Sequence, residues 1–175
     1  MKRNNAYYLC LTAVMAALIT VFTFAVHFSV GSSNGYIHFG DTLIYLSGCL
    51  LGPFGIIASS IGGALSDIIS GFPLWALPTA IIKALNCLPF VLATKIQKKK
   101  SRFKIICFPT VLALIVSSLV TVAGYFVAEI FLYSKEAALL DIPSNSVQAA
   151  GSAVLFFLAG AALDKLHIDK YLSGR

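Results

Sequence analysis

Asp67, Lys83 and Glu129 are ionisable residues set inside runs otherwise built from Ile, Leu, Val, Ala, Phe and Gly. An ionised side chain in a bilayer span costs roughly 2.5–3.5 kcal/mol on insertion scales, so it turns toward a protein interior, a partner or a substrate. With 58% of its 175 residues hydrophobic and 11% charged, the chain is too apolar for a soluble domain. Its scarce charges mark where it works, and the rest builds a membrane scaffold around them.

A span needs about 20 apolar residues, fewer where the helix is short or packed inside a bundle. Six runs qualify, at about 6–28, 36–51, 53–70, 78–97, 104–133 and 146–167. The second and third are short and are split by Gly52-Pro53-Phe54-Gly55, a tight-turn signature. The expected fold is therefore all-α, with residues 1–175 as one compact domain of six transmembrane helices. Helices satisfy every backbone polar group within the hydrocarbon.

Charge placement supports six. Of the 13 Lys and Arg, eleven fall at three places: Lys2 and Arg3; the six basic residues from Lys95 to Lys104; and Lys165, Lys170 and Arg175. Six spans put all three on one side, which the positive-inside rule makes cytoplasmic, with both termini there. Five or seven would break that agreement. The pI near 9.2 is thus a topology signal. The lysine run is short, lacks interleaved aromatics and lies between spans, so no nucleic-acid partner is expected. The basic, apolar N-terminal stretch is too long for a cleaved signal and is expected to stay as the first helix. Cys10, Cys49, Cys87 and Cys107 lack CxxC spacing and are expected to pack as free thiols.

This topology places three loops outside, at about 29–39, 71–77 and 134–145. The first carries Asn34, Tyr36, His38 and Asp41 among glycines, a mixture suited to a lid over a small polar aromatic molecule. Asp41 also suits an N-cap for the second span. Asp67 ends the third span and Lys83 lies early in the fourth, at similar depth. They form either a structural ion pair or part of a ligand site, and Asn86 follows one turn later. Trp75, the only tryptophan, serves as an interfacial anchor or as a stacking platform. Tyr125, Glu129 and, opening the last span, Asn145 and Gln148 share the outer depth. The inner halves carry few polar groups beyond Ser and Thr, which favours a pocket open to the outside over a channel. Ala13 and Ala17, four apart, give the first helix a face that another helix can approach closely.

Together these features resemble the substrate-binding S component of energy-coupling factor (ECF) vitamin transporters. The likeness covers essentially the whole chain. It rests on the size, the six spans, the Ala13/Ala17 face, the Gly-Tyr-x-x-x-Gly-Asp stretch from Gly35 to Asp41, and the Gly-Phe-Pro-Leu-Trp segment ending at Trp75. The resemblance implies that Ala13 and Ala17 meet a transmembrane coupling protein, that two ATPase subunits supply energy, and that the substrate sits beneath the outer loops. The loop motifs look most like the subgroup for riboflavin, hydroxymethylpyrimidine and pyridoxine-type vitamins. Nickel and cobalt members of the family are expected to begin Met-His; this chain begins Met-Lys-Arg, and its three histidines lack ligand spacing, so no metal is expected. No phosphate-loop or hydrolase motif is present, so neither ATPase nor enzymatic activity, catalytic residue nor cofactor is expected. The competing class is an independent ion-coupled transporter of a small metabolite, which would need paired carboxylates near mid-membrane and broken helices.

Overall fold

The structure is a computed structural model, and it describes residues 5–25, 27–29, 36–97 and 104–167. Six helices account for nearly all of it. Helix α1 spans Asn5–Phe24, α2 Gly40–Leu51, α3 Pro53–Ile69, α4 Ala76–Gln97, α5 Phe108–Leu132 and α6 Lys135–Lys165. A 3-10 turn, Pro73–Trp75, leads into α4. Four helices are long and apolar enough to cross a membrane: α1, α4 with its 3-10 lead-in, α5 and α6. At 12 and 17 residues, α2 and α3 are shorter than a full span.

The break between α2 and α3 follows from local chemistry. Gly52 has a φ of 59°, which a side chain would resist, and Pro53 opens α3 where its missing N–H costs nothing. Twelve residues make α2 only ~18 Å long. It is buried along nearly its whole length, packed by α1, α3, α4 and α6. Helices α1, α3, α4, α5 and α6 follow one another around it by successive contacts. Their outward faces carry Leu92, Leu119, Phe131 and Leu158, all exposed. Such a surface would aggregate in water and suits hydrocarbon.

The core sits around Tyr45 of α2. Its ring stacks on Phe90 of α4 at 4.8 Å and meets Phe156 of α6 edge-on at 6.0 Å. Small residues let backbones close in around it. A Cβ on Gly48 would lie 2.8 Å from Phe90 Cβ, and one on Gly62 would lie 2.8 Å from the Ala16 carbonyl.

Three expectations need correction. The chain is not wholly helical: His27–Ser29 (β1) and Tyr36–His38 (β2) pair antiparallel, with His27 opposite His38. The outer loop expected at 134–145 is helix, so α6 starts eleven residues before Ser146. Ser134 caps it, its Oγ accepting from the Ala137 amide at 3.2 Å, and Glu136 favours the positive helix start. Pro143 lies inside α6 and removes one backbone donor without ending the helix. Asp41 is also not a cap. Residue Phe39 occupies the N-cap position of α2, no side chain caps it, and the Asp41 carboxylate turns inward.

Candidate functional site

At one end of the bundle the helices splay around a cavity of about 580 Å³, within the range of ~300–1,000 Å³ usual for small-molecule sites. The end of α1 supplies Thr23, that of α3 Ser66 and Asp67, and the 3-10 turn Trp75. The start of α4 supplies Thr79 and Lys83, and the last turns of α5 Tyr125, Glu129 and Tyr133. The first half of α6 supplies Asp141, Ser144, Asn145 and Gln148, and His38 enters from β2.

The wall is held by one ionic network. Lys83 Nζ donates to Asp41 Oδ1 at 2.6 Å, and the two residues are 2% and 0% exposed. Gln148 Nε2 donates to Asp41 Oδ2 at 2.7 Å and lies 3.0 Å from His38 Nε2. Four elements are thereby tied together: β2, α2, α4 and α6. The stem of Lys83 is wedged against α3, since a Cβ on Gly63 would lie 2.8 Å from its Cγ. Its ammonium also faces the Tyr125 ring, 5.2 Å from the centroid. The partner of Lys83 is therefore Asp41 and not Asp67. Asp41 lies on the central helix, against which α4 packs at the depth of Lys83. Asp67 instead reaches the cavity with its Oδ2 buried and without a hydrogen-bond partner.

Glu129 is in the same condition. It is 5% exposed, lines the cavity, and its Oε2 has no hydrogen-bond partner. Asp67 neighbours Thr79 and Glu129 neighbours Asp141, all four of them lining residues, so the carboxyl groups give the cavity polar acceptors beside its aromatic faces. Aromatic faces complete the lining. Trp75 Nε1–H donates to Tyr133 Oη at 3.0 Å, and the Trp75 ring lies 5.9 Å from both Tyr125 and Tyr133. The resulting site combines flat apolar surfaces with acceptors and one cation that already has its counter-ion.

Of the residues expected from the sequence, His38, Asp67, Trp75, Lys83, Tyr125, Glu129 and Gln148 line the cavity. Asp41 stands behind them as the counter-ion. Asn86 does not reach the cavity: it is fully buried, and its Nδ2 donates to Thr121 Oγ1 at 2.9 Å, joining α4 to α5. Tyr36 lies in β2 opposite Ser29, and Asn34 lies outside the described residues. Sequence reasoning missed Thr23, Ser66, Phe72, Thr79, Tyr133, Asp141 and Ser144. Their signal was spacing alone: Tyr133 and Asp141 follow Glu129 by one and about three turns along the α5–α6 corner. Ala13 and Ala17 are both exposed on α1, away from this end. Among the described residues no group of His, Cys, Asp and Glu is arranged to hold a metal ion.

Two comparisons bear on the site. The family model described as ECF-type riboflavin transporter, S component, matches residues 3–165. The chain is also 33% identical over 138 residues to a Pyrococcus woesei protein described as "Uncharacterized protein in gap 3'region", covering 78% of this chain and 88% of that one.

Proposed function

The chain belongs to the ECF-type riboflavin transporter S-component family, and from that premise we propose that its cavity captures a flavin from outside the cell. Members of this family are integral membrane proteins of the plasma membrane and act as substrate-binding subunits of a transporter, not as enzymes. In this reading all six helices cross or enter the membrane, both termini are cytoplasmic, and the cavity opens outward. Lys95, Lys104 and Lys165, at the helix ends opposite the cavity, support that orientation. Energy comes from a transmembrane coupling protein docked on the Ala13/Ala17 face and from two ATPase subunits.

The observation that carries the substrate reading is the pairing of aromatic faces with carboxyl acceptors. Trp75, Tyr125 and Tyr133 offer surfaces for a planar ring, and the carboxyl groups of Asp67, Glu129 and Asp141 offer acceptors for hydroxyl or imide donors. Riboflavin has such a ring and a hydroxylated chain. Hydroxymethylpyrimidine and pyridoxine share the chemistry at smaller size, so they are the comparison ligands. Titration of the purified protein in detergent, without ATP, is expected to show saturable quenching of Trp75 by riboflavin and weaker effects from the two smaller rings. No saturable response to any of the three would refute the reading.

The same lining sets a preference between riboflavin and its 5′-phosphate. Asp67, Glu129 and Asp141 line the cavity, while Lys83, the one Lys or Arg among its described lining residues, is already paired with Asp41. A phosphate dianion would meet this acidic lining, and like-charge juxtaposition costs several kcal/mol. The phosphate ester is expected to bind at least about tenfold more weakly. Asp67→Asn combined with Glu129→Gln is expected to narrow that gap. Equal affinities in the unmodified protein would contradict the charge argument.

Trp75→Ala is expected to weaken flavin binding by roughly 1–3 kcal/mol, the usual worth of one ring stacked on an aromatic side chain. Tyr133→Phe removes only the hydrogen bond to Trp75 and is expected to cost less. A change of a few tenths of a kcal/mol for Trp75→Ala would return that residue to the role of interface anchor.

A further inference from the structure

A second concavity lies on the outside of the bundle, between α4 and α5, with a volume of about 380 Å³. It is separate from the cavity described above and shares no lining residue with it among the described residues. One wall runs from Leu85 to Ile96 on α4 and the other from Pro109 to Val120 on α5. Ala93 and Ala113, both buried, form its floor, and Leu88, Leu92, Leu112 and Val116 stand exposed along its rims. The depth has a sequence cause: two alanines face each other across the seam, and Pro89 takes from α4 the amide that would have bonded the Leu85 carbonyl.

Length and charge identify the occupant. Each wall covers twelve residues, or ~18 Å of helix, which is little more than half of a ~30 Å hydrocarbon core. The groove therefore spans a single leaflet. It ends where α4 ends, beside Lys95 and Lys104, both exposed. Gln97 ties these two ends together, its Oε1 accepting from the Lys104 amide at 3.1 Å. The acid nearest in the chain contacts, Asp164, is committed to the Ile105 and Ile106 amides at 2.7 and 2.9 Å. The groove thus pairs a one-leaflet apolar slot with a basic mouth.

We infer that the α4–α5 groove is a binding site for an anionic diacyl phospholipid, with an acyl chain between Pro89 and Val116 and its phosphate at Lys95 and Lys104. A neutral lipid would fill the slot and leave the lysines without a partner. A spanning helix of about 20 residues would outrun the groove, which stops after one leaflet, and would leave the basic mouth unused.

The test is native mass spectrometry of the full chain extracted into detergent with equimolar phosphatidylglycerol and phosphatidylcholine. The unmodified protein is expected to retain one phosphatidylglycerol in clear preference to phosphatidylcholine. Each lysine is worth roughly fivefold at an anionic surface, so Lys95→Ala with Lys104→Ala is expected to lower the preference about 25-fold. Val116→Trp, which fills the slot at an exposed position, is expected to remove the retained lipid of either kind while an unchanged helical circular-dichroism spectrum, read on the same sample, reports that the fold survives. Equal retention of the two lipids, or a preference that persists in the double lysine variant or in Val116→Trp, would overturn the assignment.

Discussion

Lys83→Met is expected to destabilise the protein by about 3–5 kcal/mol, the cost of leaving one partner of a buried ion pair without the other. Asp41 is fully buried, and after the change its carboxylate would keep only the hydrogen bond from Gln148. The measurement is the temperature at which flavin binding is lost in detergent. Adding Asp41→Asn should recover most of the loss, because a neutral amide in that place no longer needs a cation. The recovered double variant also separates two roles of Lys83. Lys83 also lines the cavity, so flavin affinity is expected to stay roughly tenfold or more below the parent, the worth of a hydrogen bond to a charged group. A single variant as stable as the parent would show that the Lys83–Asp41 contact does not hold α2, α4 and α6 together.

The second large effect is on transport. Ala13→Trp or Ala17→Trp is expected to abolish uptake in cells that carry the coupling protein and ATPases, while flavin affinity changes little. Both alanines are exposed on α1, on a face where bulk blocks close helix approach, and no residue of α1 beyond Thr23 lines the cavity. Loss of binding together with uptake would mean that this face supports the fold and not the docking of a partner.

Much of this arrangement was legible in the residues because the membrane simplifies the problem. Turn chemistry at Gly52-Pro53 separates α2 from α3 as expected. The depth shared by Lys83 and Glu129 could be read by counting turns from the helix ends. Pairing could not. Asp41 follows Gly40 at a helix start, where capping is the local preference. What turns it inward is the position of α2 between α4 and α6, a tertiary fact with no local signature. The start of α6 was missed for the opposite reason: Asp141, Ser144 and Asn145 look like a loop, yet Lys135-Glu-Ala-Ala-Leu-Leu is a strong helix former behind a serine cap. That misreading hid Asp141 and Ser144 from the candidate site. The β1–β2 hairpin left no trace because strands of three residues carry no measurable alternation.

The account stands or falls on whether this chain holds its substrate without moving it unaided. Liposomes containing the purified chain alone, with imposed proton and sodium gradients and no ATP, can be given labelled riboflavin and filtered. The expected result is label retained at no more than one molecule per protein, unchanged by either gradient. Accumulation beyond that stoichiometry, driven by a gradient, would contradict it and make the chain an ion-coupled transporter in its own right.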